Sequence, residues 1–389
     1  MAASIEKKID IFAWGANSYG QLGLGHTEDQ LLPSAVSLPD HLLGVKIKIA
    51  AGGGGHTLLL TDKDEVYGCG WNNRGQLGLG HTEPHLLQLT LIPQLSNIGV
   101  TKIACGWDFT CCIAGDGSLV VCGSNNYDQL GSPRQKNYSA NPVKLAIGDP
   151  VKEPVKDVAA GMRHCVAVTA LGDVYCWGVG RKGQLGLWKD GQPLVKQTEP
   201  AKVLLPDGAK VVQVVAGSHH SGALTESGEV LLWGDNKHHQ CATTDGGDIC
   251  RLNTLTTDFF MGCKVKRLLS GWTHVLAETE IGSVYSWGRA DYGQLGRPLA
   301  TSCDHQPKSV PGFLAPKQIS CGTEHNLAIS GAGAGRVLAW GWNEHGMCAT
   351  GDERNVREPE LIPFFRDRQV EVIGTGAGHC IAVTQAKKH

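Results

Sequence analysis

The chain has 389 residues, a formal charge of −2, 41% hydrophobic residues and 52 glycines. Near-neutral charge excludes a broad electrostatic binder of nucleic acid, and no apolar run approaches the roughly 18 residues of a membrane span, so neither nucleic acid nor membrane insertion is expected. Glycine at about twice its usual share of roughly 7%, without a three-residue period, marks many tight turns rather than collagen or disorder.

The fourteen cysteines do not read as a secreted disulfide framework. Cys69, Cys122, Cys165, Cys176 and Cys380 sit inside strand-like runs, where a reduced thiol behaves as a small hydrophobe. The N-terminus shows no apolar signal core and the C-terminus no lipidation signal. A reducing compartment without structural disulfides is therefore expected.

Taken in chain order, residues 1–8 are a short N-terminal segment. A strand then runs over Ile9–Trp14, followed by a Gly-rich turn to Gly25. The pattern recurs: a β-type run ending in Trp-Gly or Cys-Gly, a polar turn, then Gly-Gln-Leu-Gly or a close variant. Copies lie at Phe12–Gly23, Val66–Gly78, Val121–Gly131, Val174–Gly186 and Val284–Gly296, with weaker ones at Val230–Ala242 and Val337–Ala349. The marker residues Trp14, Cys69, Cys122, Trp177, Trp233, Trp287 and Trp340 are 55, 53, 55, 56, 54 and 53 residues apart. Seven repeats of this length mean a repeat architecture in which each unit stacks on its neighbours.

Within the second repeat, strands are expected over Val45–Ala51, His56–Thr61 and Val66–Gly70, with an irregular or short outer strand over Pro84–Ile92. The segments Ser132–Pro154, Trp188–Pro200 and Lys237–Gly262 read as polar surface insertions, and Leu252–Phe260 as one short helix. A turn lengthened by Gly331–Gly335 follows the sixth Gly-x-x-His. The last strand ends near Thr384, and residues 386–389 form a short tail. The first unit lacks its early strands and the last unit lacks its late ones. A ring that pairs the two termini limits exposed edges. The fold expected over residues 9–385 is therefore all-β, a closed seven-bladed propeller.

A second marker, Gly-x-x-His, runs in phase with the first. It places His56, His164, His220, His274, His325 and His379 at equivalent positions, with Phe109 in the remaining repeat. The recurrence reads as structure: buried histidines, each in its own blade and hydrogen-bonded to backbone. Trp14, Trp177, Trp233, Trp287 and Trp340 read as core packing. There is no Cys-x-x-Cys pair and no phosphate loop ending in Gly-Lys-Ser/Thr, so no metal, no cofactor and no catalytic residue is expected.

The two residues between Gly and His vary. They lie in tight turns that a propeller brings to one face. They are Gly54/Gly55, Trp107/Asp108, Met162/Arg163, Ser218/His219, Trp272/Thr273, Thr323/Glu324 and Ala377/Gly378.

At the Trp-Gly, Gly-Gln-Leu-Gly and Gly-x-x-His motifs the chain resembles the repeats of the regulator of chromosome condensation family. Phe12–His26, Cys105–Thr110, Ser270–His274, Trp287–Arg297 and Gly341–Cys348 further resemble a secretion-linked branch of it. The resemblance covers about residues 9–385. It implies a seven-bladed propeller, nucleotide exchange on a small GTPase without covalent chemistry, and exocyst association. It also implies a monomer in cytoplasm and nucleus. In the family's founding member, acidic and His side chains at the turn positions contact the GTPase. By motif position the matching residues here are Asp108, His219 and Glu324, with Arg163 beside them and Trp107 and Trp272 as aromatic anchors. A scaffold that binds exocyst or trafficking proteins without exchange is the alternative. Only Trp107 and Trp272 stand where the family's plant photoreceptor has tryptophans from adjacent blades, which argues against light sensing.

Overall fold

A computed structural model describes residues 9–385 except 40, 41, 43, 44, 135, 136, 149–152, 246 and 332–335. The expected terminal segments, 1–8 and 386–389, and most of the turn lengthened by Gly331–Gly335 lie outside the described residues. Among the described residues are seven four-stranded antiparallel sheets and one two-stranded hairpin.

Each sheet is one blade. In blade I the strands are Ile47–Gly52, His56–Thr61, Val66–Trp71 and His85–Leu91, from the axis outward. The alternation of strand direction puts the Gly-x-x-His turn and the loop after Trp-Gly at the same end of every blade. The innermost strands of neighbouring blades contact one another all the way round, including the last with the first. Blade VII is assembled from both ends of the chain. Ile9–Gly15 pairs with His379–Gln385 from Ile9 opposite Gln385 to Gly15 opposite His379. Gln30–Ala35 is its outer strand and Val370–Thr375 its inner one. The ring is closed by its termini, as the complementary half-repeats predict.

Two local readings are corrected. The segments taken as surface insertions each carry their blade's outer strand, Tyr138–Leu145, Lys196–Lys202 and Ile249–Leu255. The outer strand faces solvent, so its residues need not be apolar, and composition hides it. The expected helix over Leu252–Phe260 divides. Leu252–Leu255 completes that outer strand, and only Thr257–Phe260 forms a 3-10 turn. Pairing with the third strand, Val230–Asp235, wins over local propensity there. In blade I the outer strand is a seven-residue element, His85–Leu91, irregular as expected, with a register shift opposite Cys69.

The marker glycine has a physical reason in every blade. Gly15, Gly70, Gly123, Gly178, Gly234, Gly288 and Gly341 all have φ between +96° and +109°. A Cβ on any of them would lie 2.4–2.8 Å from backbone atoms at the Gly-x-x-His turn of the same blade. Each outer strand also shifts register here, in a β-bulge opposite the marker Trp or Cys. The bulge frees that side chain from the ladder and turns it into the seam between blades. Trp14, Trp177, Trp233, Trp287 and Trp340 are fully buried. Their indole N–H groups donate to Met347, Gln129, Gln184, Gln240 and Gln294 carbonyls of the preceding blade at 2.8–3.1 Å. Cys69 and Cys122 reach the same carbonyl position at Gln21 and Gln76.

Candidate functional site: the turn face

The histidines form a second ring of joints, and here the expected backbone partner is replaced by a side chain of the next blade. Nε2 of His56, His164 and His379 lies 2.9–3.0 Å from the hydroxyls of Thr110, Ser221 and Thr57. His220 meets Ser270, His274 meets Asn326 Oδ1 and His325 meets Cys380 Sγ. Thr110, Ser221 and Thr57 each donate their one hydroxyl proton to a Gln carbonyl at 2.7 Å. Histidine must therefore donate to them, which fixes the Nε2–H tautomer. The bare Nδ1 faces the Cα of the turn's first glycine, where a Cβ would collide with the ring. Burial holds His56, His164, His220 and His325 down to about 3 and His379 to about 4. These five rings are neutral hinges between blades. Where Phe109 interrupts the series, two thiols, Cys111 and Cys165, meet at 3.5 Å instead.

The same glycine geometry holds the variable turn residues. The carbonyl of the second one in each turn accepts the N–H that follows the marker glycine: Trp71 to Gly55, Ser124 to Asp108, Val179 to Arg163, Asp235 to His219, Arg289 to Thr273, Trp342 to Glu324 and Ala16 to Gly378, at 2.7–3.0 Å. Neighbouring turns are tied together as well. Gly54 donates to Trp107 O, Ser218 to Trp272 O, Trp272 to Thr323 O and Ala377 to Gly53 O. These bonds join four neighbouring pairs of turns into a collar around the axis.

Trp107 and Trp272 belong to blades II and V, on opposite sides of a ring of seven. Their indoles meet over the axis with centroids 5.3 Å apart. They cap a small cavity of about 90 Å³ lined by the turn glycines and small residues such as Ala160, Ala216 and Ser270. Both rings are half-buried, so the centre of the face is an aromatic hub with one side open. Gly54 packs on Trp107, and a Cβ there would lie 2.7 Å from the ring.

Around the hub the predicted residues separate. Asp108 is half-buried, accepts from Gln129 Nε2 at 3.3 Å, and is pushed up by burial. The Arg163 guanidinium stacks 4.0 Å over Tyr127. His219 is half-buried and lowered by burial, with Asp235 opposing and Arg163 and Lys182 adding to the shift. Glu324 does not stand on the surface. It is 6% exposed and accepts from Thr273 Oγ1 at 2.6 Å and Gln294 Nε2 at 2.7 Å. Its carboxylate joins blades V and VI beneath the face.

Sequence reasoning missed an outer ring on this face. Two residues before each Gln of Gly-Gln-Leu-Gly, or its Met347 counterpart, stand Tyr19, Arg74, Tyr127, Lys182, His238, Tyr292 and His345. The N–H of all but His345 is fixed by the Gln Oε1 at 2.9–3.0 Å. None is acidic; all are aromatic or basic. Tyr19 stacks on Trp71 at 4.8 Å, and Arg289 lies 4.7 Å over Tyr292. Aligning the seven repeats at that column would have revealed them.

Comparison with known proteins fits this geometry. Residues 4–382 match the RCC1-like domain. The secretion-regulating guanine nucleotide exchange factor of Bos taurus is 41% identical over 96% of this chain and 83% of its own. Its Mus musculus counterpart is also 41% identical, over 97% and 84%. Among solved structures, Saccharomyces cerevisiae Prp20p, characterised for its binding to Gsp1p and histones, superimposes with a TM-score of 0.84. It is 22% identical and covers 98% of this chain and 92% of its own. Repeat signature, closed propeller and sequence likeness agree: the chain belongs to the RCC1-like domain family.

Proposed function

We propose that the turn face binds a small GTPase and promotes exchange of its guanine nucleotide, in the service of secretion. The observation that carries this is the hub: two half-open indoles held by a hydrogen-bonded collar, ringed by aromatic and basic side chains. Buried aromatic and Arg side chains at the centre of an interface supply most of its energy. A pre-organised collar spends little conformational entropy on binding. Relatives named as guanine nucleotide exchange factors support the GTPase as partner.

Exchange needs no covalent step. A surface that binds nucleotide-free GTPase more tightly than the loaded form shifts the equilibrium toward release. Asp108, Arg163 and His219 are the polar contributors nearest the hub, and Tyr127 and Tyr292 extend it. Glu324 acts from below by holding Thr273 beside Trp272. Exocyst association and residence in cytoplasm and nucleus remain part of the proposal, resting on resemblance alone.

The test is pulldown of a panel of purified small GTPases, each nucleotide-free and each loaded. Preferential capture of one nucleotide-free GTPase, lost in Trp272→Ala with an unchanged thermal melt, is the expected result. Equal capture of both forms supports a scaffold instead, and no capture of any GTPase removes the reading.

A further inference from the structure

Blade III carries a feature that breaks the repeat. Between its third strand, Val174–Val179, and its outer strand, Lys196–Lys202, Trp188–Lys189 pairs with Gln192–Pro193 in a small hairpin. Leu194 N–H closes it on Leu187 O at 2.9 Å. The hairpin reaches toward blade IV. Trp188 lies near Gly183, and the guanidinium of Arg251, on blade IV's outer strand, lies 5.3 Å from its ring. Between the two outer strands runs a groove of about 380 Å³ walled by Leu187, Leu194, Val203, Leu204 and Leu252. This is within the size range of ligand sites. Leu204 is 89% exposed, which leaves the groove's apolar rim open.

Two polar groups here lack a counterpart. Among the described residues the buried indole N–H of Trp188 has no acceptor. A buried orphan donor costs about 1–3 kcal/mol, and such groups call for a missing partner. Arg251 has only the indole face and no ion pair among the described residues. The other cation of the groove, Lys202, is already neutralised by Asp173 at 2.7 Å. Both unsatisfied groups are donors, one of them charged, and both are flanked by leucines. The complement is an anionic acceptor with apolar neighbours.

We propose that this groove docks an extended protein segment bearing a carboxylate side chain between large apolar side chains. The carboxylate pairs with Arg251, and a small displacement of the hairpin brings Trp188 Nε1–H to it. The apolar neighbours cover Leu194, Leu204 and Leu252. No residue of the turn face lines the groove, so this site and the GTPase face are independent.

The test is selection of a random phage-displayed peptide library on the full chain, followed by anisotropy titration of a selected, labelled peptide. Selected sequences are expected to place Asp or Glu beside Leu, Ile, Phe or Trp. Arg251→Glu should weaken the peptide roughly tenfold or more, and Trp188→Phe, which keeps an aromatic face and removes the donor, should weaken it less. Trp272→Ala should bind the peptide normally. Recovery of no peptide, recovery of peptides without acidic residues, or normal binding by Arg251→Glu overturns the proposal.

Discussion

The buried histidine ring makes the propeller acid-sensitive, and the size of the effect follows from its geometry. Five of the rings are held by burial at about 3 or 4 in the folded chain, against 6.5 when exposed. Between those values the unfolded chain binds protons that the folded chain refuses, so stability rises with pH through the window. It is complete above about 6.5 and is lost as pH falls below it. At about pH 5.5, one unit under the unfolded value, each ring forfeits on the order of 1 kcal/mol, and the five together several kcal/mol. That is comparable to the whole stability of many domains, about 5–15 kcal/mol. Carboxylates do not mask it between about pH 7.5 and about pH 5.5, because unfolded values of roughly 4 leave them ionised over that range. Urea unfolding at about pH 7.5 and about pH 5.5, followed by tryptophan fluorescence, should show the midpoint collapse at the lower pH. Replacing His164 by Gln should lower the pH slope by about one proton. A midpoint that is level between the two pH values would refute neutral histidines as interblade joints.

Three further outcomes test the scaffold. Ser221→Ala removes the acceptor of His164 and a donor to Gln184 O; it should cost about 1–3 kcal/mol in urea unfolding, and a silent variant would contradict the bridge. Gly178→Ala places a Cβ 2.5 Å from Arg163 O at φ +100°; a loss of roughly 2–4 kcal/mol is expected, read as a lowered thermal midpoint. Deleting residues 1–16 removes the strand that pairs with His379–Gln385; the whole chain should then unfold at a lower temperature in one step, and an unchanged melt would show that closure is dispensable.

Much of the fold was legible because a repeat states each constraint seven times. Trp177 and Trp233 occupy one column, and the structure gives both one role, so a column can be read without coordinates. Complementary half-repeats likewise announced the pairing of Ile9–Gly15 with the C-terminal strand. What escaped lies between columns. Trp107 and Trp272 are far apart in the chain, and only the seven-fold ring brings their indoles together, tilted at 46°. Glu324 shares a turn position with the half-exposed Asp108, yet Thr273 and Gln294 draw it inward. No property of its own repeat signals that. The histidines were read as blade-internal because a single repeat cannot show what the next blade supplies. The outer strand Ile249–Leu255 was hidden because solvent exposure removes the apolar alternation.

The central claim is that the aromatic hub of the turn face engages the nucleotide-free GTPase. The most direct measurement is release of a fluorescent guanine nucleotide from the captured GTPase, with wild-type chain and with Trp107→Ala/Trp272→Ala. Truncating a hot-spot aromatic costs about 2 kcal/mol or more, roughly a 30-fold loss of affinity. The account predicts accelerated release by wild type and near-basal release by the variant, with both chains melting alike. Equal acceleration by the two chains would contradict it.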